Sequence, residues 1–155
     1  MTATAEQQTT VPTATTKPSF AAYPKHFQVN LVKLIIDDRI FASQMQEVLE
    51  LSYFEQDYLK IIIENIFQYK DKFGTHPSTD TVDMLFSTNL KSVDTLKKTE
   101  IINFWESYKK NRKVEDSEYY MKIALDFCRS QKVLAALKTN FEQLKNADID
   151  SFLES

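Results

Sequence analysis

The residues of this chain whose types could support chemistry begin with a run of cations. The run KKNRK contains Lys109, Lys110, Arg112 and Lys113, and such a cluster could contact the phosphates of a nucleic acid. The same cations lie at the predicted end of a helix, where they would complement the helix dipole while staying solvated. Nearby aromatic residues have the spacing of a core rather than of a base-stacking platform, which favours the solvated alternative.

Few residues of this chain are candidates for acid–base catalysis or metal binding. Four carboxylates form two adjacent pairs at predicted helix boundaries, where such side chains serve as caps: Asp37 with Asp38, and Glu115 with Asp116. His26, His76 and Cys128 form no Cys/His cluster, no HExxH motif and no catalytic set. We therefore expect no catalytic, cofactor-binding or metal-binding residue, and we expect a partly buried, inert Cys128.

The single glycine restricts both the fold and the function. Average usage of about 7% would place roughly eleven glycines in a chain of this length, whereas these 155 residues contain one Gly and four Pro. This composition argues against turn-rich sheets. It also excludes a P-loop and a dinucleotide fingerprint, so this chain cannot hydrolyse ATP by a P-loop mechanism. Gly74 ends an apolar stretch and precedes Pro77, which predicts a helix C-cap.

The chain contains no candidate membrane span and no secretory signal. Nothing approaches 18 consecutive apolar residues, and the N-terminus lacks a basic start followed by an apolar core. The net charge of −3 provides no overall attraction to nucleic acid. We expect a soluble, cytoplasmic protein that makes no membrane contact.

Apolar residues recur at intervals of three and four from Tyr23 onward, which predicts an all-α fold: a compact helical bundle head followed by a long helical hairpin. The third predicted helix, from about Glu55 to Phe73, is the most apolar and is expected at the centre. The predicted units are a disordered polar tail (1–22), the head (23–92), a self-associating hairpin (93–146) and a short acidic and apolar segment (147–155).

The last predicted helix, from about Ser117 to Asn146, carries a heptad seam interrupted by Ser130. One alternative is that the seam packs, inside the same chain, against the fifth predicted helix, which is marked by apolar residues from Val93 to Tyr108. The other is that the helix projects beyond the head and that part of the seam is covered by a second copy. The residues of this self-association hypothesis are Ile123, Phe127, Leu134, Leu137, Phe141 and Leu144.

Two stretches resemble the N-terminal domain of DnaB-type replicative helicases, particularly phage versions. The first is LVKLIIDDRIFASQMQEVLELSYFEQDYLKIIIENIFQYKDKFGTHPSTDTVDMLF, with its acidic helix end, Tyr-Phe link, long helix and glycine turn. The second is EDSEYYMKIALDFCRSQKVLAAL, similar to the family's tyrosine-initiated helix with a central arginine, here Arg129. The chain departs from the bacterial pattern in the loop THPS and in its longer, aromatic fifth helix.

The resemblance implies the collar module of a hexameric helicase, with a helical head, a hairpin and no catalysis of its own. It also implies that residues 147–155 are the start of a linker to an absent motor domain, and that a phage-infected bacterium is a compatible setting. It implies a homo-oligomer, either dimer or hexamer, and docking of a primase or helicase loader, with DNA contacted only through the parent helicase. Two alternatives remain open: a DNA-binding accessory factor, such as a loader, that uses the KKNRK cations, and a helical bundle that binds a small molecule.

Overall fold

The computed structural model describes the backbone of residues 17–154 and the side chains of residues 17–147. Within that part of the chain there are six α-helices, two short 3-10 helices and no strand. The α-helices are α1 (Phe27–Asp37), α2 (Arg39–Val48), α3 (Asp57–Phe73), α4 (Thr79–Asn89), α5 (Thr95–Lys110) and α6 (Ser117–Glu154). The 3-10 helices are η1 (Phe20–Ala22) and η2 (Leu51–Tyr53). The predicted all-α class is confirmed.

Local sequence signals define several helix ends. The Asp38 side chain accepts hydrogen bonds from the amides of Ile40 and Phe41, both at 3.0 Å, and so caps α2. Ser78 caps α4, and its side chain accepts a hydrogen bond from the Thr81 amide. Gly74 ends α3 in the left-handed conformation with φ of 77°, as predicted. Capping therefore explains why an acidic residue occurs at position 38, in the adjacent pair Asp37 and Asp38.

The centre of the head is α1 together with α3. Helix α1 packs against α2, α3 and α6, whereas α3 packs against α1, α4 and α5. Seven of the eleven α1 residues are buried, so α1 rather than α3 is the most enclosed helix. On α3, Phe73 is the last helical residue and is 59% exposed. The only buried polar residue in the described region, Gln28, exchanges two hydrogen bonds with Glu55 at 2.8 and 2.9 Å.

The predicted disordered tail is wrong for its last residues. Residues 1–16 lie outside the described part of the chain, but Phe20–Ala22 form η1 and Phe20 is fully buried. Its ring lies 5.2 Å from that of Phe54 and 5.4 Å from that of Phe27. Burial of the Phe20 ring offsets the entropy cost of ordering this segment. The polar residues around Phe20 in the sequence give no indication that its ring is buried.

The hairpin between the fifth and sixth helices is not confirmed. Helix α5 packs mainly on α3, and its Trp105 ring meets Phe86 of α4 edge-on at 5.3 Å. Helix α6 instead packs its N-terminal part on α1 and α2, and it continues to Glu154, past the predicted end at Asn146. All residues from 132 to 147 are exposed, so this part of α6 extends beyond the head and does not pack against α5.

Candidate functional site

The projecting half of α6 carries a row of large apolar side chains, which we call the α6 stripe: Leu134, Leu137, Phe141 and Leu144. Their exposed fractions are 57%, 58%, 66% and 62%. The spacing of three, four and three residues places them on one side of the helix. Contiguous exposed apolar side chains of this kind usually mark an interaction site.

The first half of the predicted seam has a different role. Phe127 is half-buried, and its ring lies 5.2 Å from both Phe20 and Tyr53 and 5.9 Å from Tyr23. Ile123 likewise packs against the head. The seam is therefore divided, since its N-terminal part belongs to the core of the head and its C-terminal part has no covering element within the described residues.

A groove connects the stripe to the head. It encloses about 570 Å³ and is lined by α6 residues Gln131, Lys132, Leu134, Ala135 and Lys138 on one side, and by Pro18, Val48, Glu50 and Tyr53 on the other. Leu134 belongs to both the groove and the stripe. A helix laid along the stripe would therefore end against the head in this groove.

The KKNRK cations do not form one surface. Lys109 lies 3.5 Å from the carboxylates of both Asp83 and Glu106 and sits over the Trp105 ring at 5.8 Å, so its charge is already balanced. Lys110 is exposed at the end of α5. Arg112 lies over the Tyr108 ring at 5.2 Å, and together with Lys113 it lines a separate cleft.

That second concavity, the head cleft, encloses about 900 Å³ where the beginnings of α2, α4 and α6 meet the end of α5. Its cations are Arg39, Arg112 and Lys113, and its apolar wall includes Ile40 and Val114. None of the three cations has a carboxylate within 4.0 Å among the described residues.

Several other polar groups of the head cleft are hydrogen-bonded within the protein. The Tyr108 hydroxyl donates to the Asp37 carboxylate, and burial together with this hydrogen bond raises the pKa of Tyr108. The His76 Nε2–H donates to the Ile36 carbonyl at 2.8 Å, which leaves Nδ1 buried and without a partner in the described part of the chain. Asp38 is the α2 cap. The three cations are therefore the charged donors of the cleft that are free to meet an anionic ligand.

Catalytic candidates stay isolated. Burial raises the pKa of the Cys128 thiol to about 12, so at neutral pH the group is a protonated, enclosed thiol. Across residues 17–147 no group of three or more His, Cys, Asp or Glu side chains is arranged to hold a metal ion. Among the described residues no helix is long and apolar enough to cross a membrane.

The head cleft is the site that sequence reasoning missed. Arg39 and Arg112 are 73 positions apart in the chain, and only the packing of α1, α2 and α5 brings them to one opening. The sole local indication of this cleft in the sequence was the dipeptide Asp38-Arg39 at a helix start, and such a dipeptide does not by itself indicate a binding site.

Comparisons with protein-family models, curated proteins and solved structures find no match to this chain.

Proposed function

We propose that this chain is the N-terminal collar domain of a hexameric, DnaB-type replicative DNA helicase, serving oligomerisation and the docking of a primase or other partner. The observation that carries the proposal is the α6 stripe, which is exposed along a helix that leaves the head. The order of segments that resembles the DnaB family supplies the class of assembly. In this proposal the chain catalyses nothing itself, and ATP hydrolysis belongs to a P-loop domain of the parent polypeptide.

A second copy of this chain is the occupant we assign to the stripe. The projecting residues 132–154 form about 34 Å of helix at 1.5 Å per residue. Covering one large apolar side chain contributes roughly 1.5–3 kcal/mol. Because each of the stripe side chains is already partly covered in one copy, the eight of them in two copies contribute less than roughly 12–24 kcal/mol, which is comparable with an association cost of about 4–15 kcal/mol. The heptad spacing suits the interdigitation of two such helices.

Sedimentation velocity over a range of protein concentrations tests the proposal. We expect the wild-type chain to self-associate as concentration rises, and we expect the double variant Leu137→Lys/Leu144→Lys to associate much more weakly because its lysines would be desolvated in the contact. The matched control is Thr139→Lys/Asn146→Lys, which adds the same charges seven residues apart on the outer side of the same helix. This control should associate as the wild type does.

A wild-type chain that stays strictly monomeric at high concentration would overturn the collar proposal. Equal loss of association in the stripe variant and the control would also overturn it, because added charge rather than the stripe would then be responsible.

A further inference from the structure

The head cleft is a second concave surface, separate from the α6 stripe. Arg39, Arg112 and Lys113 reach it from the start of α2 and from the segment between α5 and α6, and all three are exposed. Ile40, which stands beside them, is 67% exposed. Cations without acidic partners, next to an uncovered aliphatic side chain, match a ligand that combines carboxylates with apolar groups.

A nucleic acid backbone fits this opening less well. Asp37 and Asp38 also line the cleft, and a continuous polyanion would meet their charges as well as those of the cations. A polypeptide in which acidic and apolar residues alternate can place its carboxylates at Arg112 and Lys113 and its apolar side chains at Ile40.

This chain contains one such segment. Residues 148–154 read DIDSFLE, with three acidic residues, three large apolar residues and no basic residue. They form the last turns of α6, which runs unbroken to Glu154. The segment thus combines the charge and the apolarity that the head cleft would complement.

The segment cannot reach the cleft of its own copy. Met121, near the start of α6, lines the cleft, and Asp148 lies 27 residues farther along the same helix, about 40 Å away at 1.5 Å per residue. A straight helix cannot turn back over that distance. Any contact between the two must therefore join different copies.

We propose that the head cleft of one copy binds the acidic α6 segment of residues 148–154 from another copy. The contact is heterologous, since it joins two different surfaces, and repetition of such a contact generates a ring or a filament. Met121 and Ile123 are two residues apart and so lie about 200° apart around α6. The cleft and the seam therefore lie on different sides of the helix, and a copy held at the stripe leaves the cleft available to a further copy.

Peptide binding tests the cleft directly and does not depend on the stripe. A fluorescein-labelled peptide of residues 146–155 is titrated with the full chain and followed by anisotropy. We expect saturable binding that weakens with added salt, and we expect Arg112→Glu/Lys113→Glu to weaken it about tenfold or more. The control Lys25→Glu/Lys91→Glu makes the same change in charge at exposed lysines that do not line the cleft, and it should bind as the wild type does.

Absence of saturable binding to the wild-type chain, or equal weakening in the cleft variant and the control, would overturn the proposal. So would a labelled single-stranded oligonucleotide that displaces the peptide and loses affinity in the same cleft variant, because the site would then be one for phosphates. The stripe variant Leu137→Lys/Leu144→Lys should bind the peptide normally, which separates failure of this proposal from failure of the collar proposal.

A charge exchange in the full chain provides the second test and does not rely on an isolated peptide being helical. Asp148→Lys/Asp150→Lys and Arg112→Glu/Lys113→Glu should each stop assembly at the dimer, when each is measured alone by sedimentation. An equimolar mixture should recover larger species, since it restores opposite charges between copies. A mixture that remains no larger than either variant alone would contradict the proposal.

Discussion

The two halves of α6 share one sequence pattern and have opposite environments. In the half that packs on the head, Phe127 lies among the rings of Phe20, Tyr23 and Tyr53. In the projecting half, Phe141 occurs at the equivalent heptad position fourteen residues later and is 66% exposed. Periodicity therefore identifies the apolar side of a helix, but it does not identify what covers that side.

The largest expected effect is in the packed half. Phe127→Ala should lower the free energy of unfolding by about 3 kcal/mol, because it removes an aromatic ring from a cluster that cannot fully close around the gap. Urea unfolding at a protein concentration where the chain is monomeric measures this. A loss below about 0.5 kcal/mol, the range of ordinary surface changes, would show that the two halves do not differ in packing.

The same substitution in the projecting half should have its effect on association instead. Phe141→Ala should leave the monomer's free energy of unfolding within about 0.5 kcal/mol of wild type. It should weaken self-association roughly tenfold to hundredfold, the range for truncating an aromatic anchor at an interface. Paired urea and sedimentation measurements check both values, and a destabilised monomer with unchanged association would reverse the assignment.

A smaller effect concerns thiol reactivity along α6. Cys128 should react slowly with a thiol reagent at pH 8, since burial raises its pKa to about 12 and encloses the sulfur. A cysteine placed in the projecting half by Ala136→Cys, in a Cys128→Ser background, should react at the rate of an exposed thiol. Comparable rates at the two positions would contradict the difference in environment.

The raised pKa of Cys128 also has a consequence for stability. The unfolded thiol ionises near pH 8.5, whereas the folded one resists ionisation up to about pH 12. This group's contribution is therefore fully present below about pH 8.5 and is lost as the pH rises from there toward 12. The decline in unfolding free energy across that window should be smaller in Cys128→Ser, which can be followed by urea unfolding at successive pH values.

Local signals in the sequence predicted helix type and several boundaries well, because each depends on a few neighbouring residues. Gly74 ends α3, Asp38 caps α2, and α6 begins at the predicted Ser117. The partner of each helix was predicted less well. The fifth helix was expected to pair with the sixth, yet α5 packs on α3. An apolar stripe indicates which side of a helix is buried, but it does not indicate which other helix will pack against that side.

The candidate sites divide in the same way. The residues of the α6 stripe were all among those predicted for self-association, because the heptad spacing identifies them. The same spacing also included Ile123 and Phe127, which pack on the head, because exposed and buried parts of a seam have the same spacing. The proposed role of the stripe in a helicase collar stays a prediction. The phosphate-contact residues were predicted as one cluster, but Lys109 is engaged by Asp83 and Glu106 while Arg112 and Lys113 face the head cleft. Side chains that follow one another around a helix end point in different directions, so adjacency in sequence does not create a patch.

By itself, the sequence determined that this chain is helical, that its one glycine ends a helix and that no P-loop is present, because these properties depend on composition and on short-range spacing. Only the tertiary structure decided that α6 leaves the head at about residue 132, that Phe20 enters the core and that Arg39 meets Arg112 at one cleft. These outcomes depend on which apolar surfaces cover one another, and that choice is made by the packing of the whole chain rather than by any single segment.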